Sequence, residues 1–222
     1  DIKKDISENS EEIINLDDKL PKHKDEEIVK LSRRRITIAK RLKEVQTETV
    51  MTTTYNEVDL SSVIAIRKKY QDQFVKKHNT KLGFMSFFVK ASVNSLQSFP
   101  HLNAELHQDE LIVKKYYDIG IAVATDEGLV VPVLRGADKL SSAEIELGIA
   151  ELATKSREKK ITLQELQGGT FSITNGGVFG SLMSTPLLNP PQVGILGMHK
   201  IMEKPLAVDG EIVIRPVMML AV

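Results

Sequence analysis

A block rich in glycine, proline and hydroxyl groups constrains this chain more than any other feature. It spans residues 171–199, where a β-branched start (FSIT) enters a glycine-rich turn (NGGVFGS) and then a double-proline bend (NPPQ). Glycine has no Cβ and proline fixes its own φ, so such a block lets backbone approach a neighbour closely. It predicts a tight strand-to-loop connection, and two interpretations stay open: a loop chosen for its shape, or a functional site.

Composition and charge define the broad class of protein. Of the 222 residues, 41% are hydrophobic and 27% charged, which is typical of one soluble globular domain. Lysine plus arginine and aspartate plus glutamate both number 30, so the whole chain has no net attraction to nucleic acid or to an anionic membrane. There is no cysteine, which excludes a disulfide scaffold and a thiolate nucleophile and fits a reducing cytoplasm. No apolar run approaches the roughly 18 residues of a membrane span.

Two regions are expected along the chain. Residues 1–30 contain ten acidic residues, six lysines and no aromatic residue, so they bury too little apolar surface to offset the entropy of ordering. We therefore expect residues 1–30 to be a disordered charged linker and residues 31–222 to form the folded domain. Because the sequence ends within an apolar, strand-like run, we also expect this domain to be truncated at its C-terminus.

The first half of the domain shows mostly helical patterns. Ser32 is a candidate N-cap for a helix with Ile38, Leu42 and Val45 on one face. Residues 50–58 favour a strand, and Asp59 precedes a helix whose apolar face comprises Val63, Ile66, Tyr70 and Phe74. Residues 84–96 are apolar on more than one side, which predicts a central, covered helix.

The second half mixes strands with short helices. Strands are expected at 110–116, 119–125 and 129–134, with a hairpin between the last two, and again at 192–198 and 211–222, with Asp209-Gly210 as the hairpin turn before the last. Capping boxes at Ser141/Glu144 and Thr162/Glu165 predict a helix to about residue 159 and a shorter one before Gly168. Because strict βαβ alternation is absent, we predict an α+β fold: a two-layer mixed sheet with helices on one face.

Several kinds of active site are excluded by their missing motifs. The chain has no phosphate-loop, nucleophile-elbow or zinc-protease motif. No metal site is expected, because none of the five histidines has a partner at metal-ligand spacing, and each is interpreted as a surface or locally hydrogen-bonded residue. The glycine-rich block does suit acyl transfer, which needs donors aimed at a developing oxyanion. Thr174, held rigid by its β-branching, is the candidate donor.

The block 171–199 resembles the dihydrolipoamide acyltransferases, which are related to chloramphenicol acetyltransferase. The segments RRRITIAKRL at 33–42, FPHLNA at 99–104 and GLVVPVLR at 128–135 resemble further family segments, so the resemblance covers about residues 31–222. The run GSLMSTP at 180–186 is closer to the succinyl branch, which serves 2-oxoglutarate dehydrogenase complexes, than to the acetyl branch. The resemblance implies a chloramphenicol acetyltransferase-like fold.

The resemblance also implies an activity and its partners. The expected reaction is a dihydrolipoyllysine-residue succinyltransferase step of the tricarboxylic acid cycle, with coenzyme A as co-substrate and the lipoyl group on a separate domain. Trimers would build a cubic core that works with 2-oxoglutarate dehydrogenase (E1) and dihydrolipoamide dehydrogenase (E3). No nucleic-acid or membrane partner is implied. The expected location is the bacterial cytoplasm, or the mitochondrial matrix in a eukaryote.

By the same resemblance, Thr174 is the oxyanion-stabilising hydroxyl. Arg67 is a candidate coenzyme A contact, although an ordinary solvated helix face is the favoured interpretation. The family's base histidine and its aspartate belong to a His-x-x-x-Asp-Gly motif that none of the five histidines fits, and that we expect beyond Val222. Without it these residues would be inactive alone, so two alternatives stay open: a non-catalytic assembly scaffold, or a small-molecule acetyltransferase.

Overall fold

The structure is a computed structural model that describes residues 25–222. Contacts divide the chain into a unit at 1–32 and a larger unit at 33–222, and the larger unit contains all the helices and strands given below. Most of the expected linker, residues 1–24, lies outside the described residues. Its disorder and the boundary at residue 31 therefore stay predictions.

Helices and strands are interspersed along residues 33–222. The α-helices are α1 (Arg33–Glu48), α2 (Ser61–His78), α3 (Met85–Ser98) and α4 (Ser142–Arg157). The strands are β1 (Tyr55–Asp59), β2 (Ala104–His107), β3 (Glu110–Val113), β4 (Ile119–Ile121), β5 (Val123–Thr125), β6 (Gly128–Val130), β7 (Val133–Leu134), β8 (Phe171–Asn175), β9 (Ile195–Val208) and β10 (Glu211–Ala221). Short 3₁₀ turns lie at Pro100–Asn103, Gln164–Leu166 and Gly177–Phe179. Across residues 25–222, no helix combines the length and apolarity needed to cross a membrane.

Six strands form the main sheet, in the order β1-β10-β9-β8-β4-β7. Strand β8 runs parallel to both of its neighbours, β4 and β9, whereas the remaining pairs are antiparallel. The pairs β2–β3 and β5–β6 form two small separate sheets. A mixed sheet with helices is the α+β arrangement expected from the sequence, and that prediction is confirmed.

The hydrophobic core lies between one face of the main sheet and the helices. Ile173 of β8, Leu196 and Met198 of β9 and Met218 of β10 belong to it, together with Val89 of α3 and Ile145 of α4. Because side chains alternate along a strand, this face takes every second residue of the central strands. The covered helix predicted at 84–96 is confirmed, since α3 buries residues on several sides.

Local signals in the sequence placed several turns correctly. The capping box of α4 is present: Glu144 N–H donates to Ser141 Oγ, and Ser141 N–H donates to the Glu144 carboxylate at 2.7 Å. The second box is also present, with Thr162 N–H donating to Glu165 at 2.9 Å, but only one 3₁₀ turn follows it. Asp209 and Gly210 both have positive φ, as a tight β-hairpin turn requires.

Other strand boundaries differ from the predictions. The strand expected at 50–58 begins only at Tyr55, and residues 50–53 before it line a cleft. Strand β2 was missed; it pairs with β3 through a turn in which Gln108 takes positive φ. The hairpin expected at 119–134 is divided between the main sheet and the β5–β6 pair. Strand β9 extends to Val208, ten residues past the predicted end at 198.

The apolar face predicted for α2 is only partly covered: Val63 packs against the core, but the rest of the face lies on an open cleft. Ile66 and Tyr70 are both 42% exposed, and α2 has no fully buried residue. Together with Phe74, Leu82 and Phe87 they line an open cleft of ≈380 Å³. Helical periodicity identified the correct face, but not whether it is covered.

Candidate active site

Thr174 lies on the sheet face opposite the helices. Its neighbour Ile173 is fully buried in the core, so alternation places Ser172 and Thr174 on the other face. In the parallel β8–β9 pair, Thr174 is aligned with Gly197. We call this the strap face, because it is covered by residues 181–194, the strap, instead of by helices.

The glycine-rich turn after β8 packs tightly against β9. Gly176 N–H donates to Met198 O at 2.9 Å, and Gly177 N–H donates to the Asn175 side chain at 2.9 Å. A Cβ on Gly177 would lie 2.5 Å from the carbonyl carbon of His199, so no larger residue fits. The close packing predicted for the glycine-rich block is therefore confirmed, and the neighbour is β9.

The strap continues across the same face. Lys200 N–H donates to Ser181 O at 2.9 Å, which fixes the start of the strap on β9. Further along, Pro186 Cγ lies 2.8 Å from the position that a Cβ on Gly197 would take. Pro186 thus occupies the space left by the missing side chain of Gly197, the residue aligned with Thr174.

His199 is buried, with only 1% of its surface exposed. Its Nε2 lies 2.8 Å from Ser184 Oγ in the strap, and its Nδ1 lies 2.8 Å from Met219 O in β10. A carbonyl only accepts, so Nδ1 donates to Met219 O, while Nε2 shares the second hydrogen bond with the Ser184 hydroxyl. A β-bulge, where His199 and Lys200 oppose Met219 alone, makes this contact possible.

The sequence interpretation of His199 needs correction. It was expected at the end of a strand as a surface or locally hydrogen-bonded residue, but it lies within β9 and joins two distant segments. The useful signal was the alternation of side chains along a strand. Because Gly197 is aligned with Thr174, Gly197 and His199 lie on the same sheet face as Thr174. Because the predicted strand ended at 198, this alternation was not extended to His199.

A second buried polar pair holds the far end of the strap. The Ser172 hydroxyl donates to Gln192 Oε1 at 2.6 Å, and both residues are almost completely buried. Sequence reasoning missed this pair, because Gln192 follows the double proline in a segment without periodicity. The strap is therefore attached to the sheet by side chains on both sides of Thr174.

The start of β8 is anchored separately. Thr170 N–H donates to Asp118 O at 2.7 Å, next to the β4–β8 ladder. The Asp118 carboxylate accepts from Arg135 Nη1 at 2.8 Å and from Gly136 N–H at 2.7 Å. Arg135 also donates to the carbonyls of Gln164 and Gln167. These contacts fix the loop before β8, and so the strand that carries Thr174.

A cleft of ≈230 Å³ opens beside the strap. Its walls combine the segment before β1, the beginning of β8 and the strap: Val50, Met51, Thr52, Thr53, Leu102, Phe171, Pro186, Leu188, Val193, Gly194, Ile195 and Val222. The lining is mostly apolar. Such a cleft suits the uncharged part of a ligand.

The Thr174 side chain is half-buried, and it makes no side-chain hydrogen bond to another residue within 25–222. Its hydroxyl is thus free to donate to a ligand oxygen. Gly197, which is aligned with Thr174 on the neighbouring strand, has no side chain that could crowd this hydroxyl. This arrangement suits stabilisation of a single developing negative charge.

Arg67 occupies a different part of the molecule from Thr174. Its Nε donates to Leu82 O at 2.8 Å, and its guanidinium lies 3.9 Å from the centre of the Phe84 ring. The favoured interpretation of a solvated helix face is therefore wrong, because the side chain is half-buried and holds the loop between α2 and α3. Its role as a coenzyme A contact stays a prediction.

Known proteins are similar to this chain in sequence and in fold. Residues 23–222 match the family described as 2-oxoacid dehydrogenases acyltransferase (catalytic domain). The chain is 65% identical over 185 residues to the dihydrolipoyllysine-residue succinyltransferase component of the 2-oxoglutarate dehydrogenase complex of Bacillus subtilis, covering 83% of this chain and 44% of that protein. The component of the same name from Rickettsia typhi is 57% identical over 193 residues, covering 87% and 48%.

Solved structures are also similar to this chain. A probable dihydrolipoamide acetyltransferase from Listeria monocytogenes superposes with a TM-score of 0.85 at 32% identity, covering 89% of this chain and 84% of that one. The cubic core of a pyruvate dehydrogenase multienzyme complex gives the same TM-score at 31% identity, covering 91% and 86%.

This chain belongs to the 2-oxoacid dehydrogenase acyltransferase family, whose catalytic domain its residues 23–222 match. The family resemblance found in the sequence is confirmed. The chain spans about half the length of the curated relatives it matches, at 44% and 48% of the two named above.

Proposed function

We propose that the protein containing this chain transfers a succinyl group between a lipoyl dithiol and coenzyme A. The observation that carries the proposal is the 65% identity over 185 residues to a dihydrolipoyllysine-residue succinyltransferase component. The strap face supports it, since Thr174 presents there a half-buried hydroxyl that makes no side-chain hydrogen bond to another residue within 25–222.

In this proposal Thr174 acts on the transition state. A thiolate attacks the thioester carbonyl, and the carbonyl oxygen gains negative charge as the tetrahedral intermediate forms. The Thr174 hydroxyl donates a hydrogen bond to that oxygen, and the charge makes this bond stronger than in the ground state. The β-branched side chain and the β8 ladder restrict its motion, so little reorganisation is needed at the moment of reaction.

A base must also remove the thiol proton. Among the described histidines, His199 is committed to Met219 O and Ser184, so we do not assign it this role. The family resemblance assigns the base to a His-x-x-x-Asp-Gly motif, which none of the five histidines fits. In this proposal the described residues supply the oxyanion hydroxyl.

The remaining partners are implied by the family resemblance and are likewise proposed. We infer a cubic core built from trimers, because a cubic core is among the superposing structures. The complex would include 2-oxoglutarate dehydrogenase and dihydrolipoamide dehydrogenase, with the lipoyl group carried on a separate domain. The named relatives are bacterial, which supports a cytoplasmic location.

The direct test is thiol release by the purified full-length protein, with dihydrolipoamide and either succinyl-CoA or acetyl-CoA. We expect kcat/KM for succinyl-CoA to exceed that for acetyl-CoA by at least about tenfold, because the relatives at 65% and 57% identity are succinyltransferase components and even one methylene can be worth about tenfold in discrimination. No transfer by folded full-length protein would favour the assembly-scaffold alternative. Acetylation of chloramphenicol in place of dihydrolipoamide would favour a small-molecule acetyltransferase.

A further inference from the structure

The Ser172–Gln192 pair is a buried polar contact between the central sheet and the strap. Ser172 is 1% exposed and Gln192 is 6% exposed, and the hydroxyl-to-oxygen distance is 2.6 Å. Leaving either group without a partner would cost its full desolvation penalty. A polar pair in this position therefore fixes one particular arrangement of strap and strand, whereas an apolar contact would tolerate several.

Two glycines provide the space for this pair. A Cβ on Gly120 of β4 would lie 2.8 Å from Ser172 Oγ, and a Cβ on Gly169 would lie 2.9 Å from Gln192 Nε2. The hydroxyl and the amide thus each occupy a position next to a missing side chain. A side chain at either glycine would collide with the hydroxyl or the amide, so this hydrogen bond depends on both glycines.

The pair lies close to Thr174 along the same strand. Ser172 precedes Thr174 by two residues on the strap face, which corresponds to about 6.6 Å along a strand. Ser184 and His199 attach the other part of the strap, and Pro186 between the two attachments packs on Gly197. Gly197 is aligned with Thr174, so the strap segment facing Thr174 is held at both ends.

We propose that Gln192 is a positioning residue for acyl transfer: through its hydrogen bond with Ser172 it fixes the strap over the sheet and so sets the space into which the Thr174 hydroxyl donates. This inference rests on the proposed function, because it assigns Gln192 an effect on the oxyanion hydroxyl. Gln192 itself touches no reacting atom. Its contribution is geometric, and a displacement of about 1 Å at a reacting centre is worth up to about 10²-fold in rate.

The test is a double-mutant cycle in the full-length protein, using thiol release from succinyl-CoA. Gln192→Met keeps the length of the side chain and removes the acceptor, so we expect kcat to fall about tenfold while KM changes less than about twofold. In a Thr174→Ala background the same change should alter kcat less than about twofold, because the hydroxyl it positions is gone. Gln97→Met, at an exposed position of α3, is the matched control and should leave kcat unchanged.

A second variant distinguishes a loss of positioning from a loss of folding. Ser172→Ala removes the donor without adding volume, and it should reproduce the kcat loss of Gln192→Met while the thermal unfolding transition stays cooperative. Full kcat in both variants, or a tenfold loss that persists in the Thr174→Ala background, would overturn the positioning role alone. Full kcat in Thr174→Ala itself would overturn the proposed role of Thr174 and this inference with it.

Discussion

The two faces of the central sheet use the same strands for different purposes. Toward the helices, β8 and β9 present Ile173, Leu196 and Met198, which are buried apolar residues of the core. Toward the strap they present Thr174, Gly197 and His199, which are polar or have no side chain. Adjacent residues such as Ile173 and Thr174 therefore belong to different surroundings.

The difference follows from how each face is covered. Helices pack on a sheet through their side chains. The space between helix and sheet must therefore be filled by apolar side chains from both. The strap covers the other face through backbone and proline, and it approaches closely only where glycine leaves space, as at Gly177 and Gly197. We infer that the helix face supplies most of the stability, and we propose that the strap face supplies the chemistry.

The largest expected change in stability comes from the helix face. Ile173→Ala removes a fully buried side chain and should lower the free energy of unfolding by about 2–5 kcal/mol, measured by denaturant titration. Ile212 of β10 is 81% exposed, and Ile212→Ala should change the same quantity by about 0.5 kcal/mol or less. A loss below about 1 kcal/mol for Ile173→Ala would remove the distinction between the faces.

A smaller change in unfolding free energy is expected on the strap face, where a substitution adds a side chain to a tightly packed position. The Cβ of Gly197→Ala would lie 2.8 Å from Pro186 Cγ, so the strap must shift, at a cost of about 1–3 kcal/mol in unfolding free energy. The companion variant Pro186→Ala removes the obstructing atom and should reduce that cost when the two are combined. If the losses of unfolding free energy in the two single variants simply add in the double variant, the strap does not contact Gly197 as described.

The smallest effect concerns the loop that leads into β8, and it depends on pH. Hydrogen bonds from Thr162 N–H, the Lys155 ammonium and the Thr162 hydroxyl lower the pKa of Glu165 to about 2. Because the folded pKa is depressed, the stabilisation is present above the ordinary glutamate pKa and is lost as pH falls toward 2.

Glu165→Gln should therefore flatten the dependence of unfolding free energy on pH between about 5 and 2, as followed by denaturant titration at each pH. Glu158→Gln, which removes an exposed carboxylate paired with Lys160, is the matched control. An unchanged pH profile in Glu165→Gln would contradict the role of these hydrogen bonds.

Sequence patterns predicted local structure well where the signal is contained in a few residues. The capping boxes at Ser141 and Thr162 and the turn at Asp209-Gly210 depend on neighbours within four positions, so they were identified correctly. Thr174 was selected as a candidate because a rigid hydroxyl precedes a glycine-rich turn. Its location on a glycine-lined sheet face agrees with that choice, while its catalytic role stays a prediction.

Features that depend on distant partners were not accessible. His199 joins Ser184 to Met219, and Gln192 joins the strap to Ser172, and no local pattern encodes either pairing. The exposure of Ile66 and Tyr70 was missed for the same reason, since periodicity defines a helix face but not what covers it. The bulge opposite Met219 shifts the register of β9 in a way that only the paired strands reveal.

The most direct test of the two-face account compares Thr174→Ala with Thr174→Ser in the full-length protein, measuring both kcat for succinyl transfer and unfolding free energy. We expect Thr174→Ala to lose about 10²–10³ in kcat, as for removal of one oxyanion donor, while Thr174→Ser stays within about tenfold of the original. Both should unfold within about 1 kcal/mol of the original protein. A loss of only a few-fold in Thr174→Ala would contradict the assignment of the chemistry to the strap face.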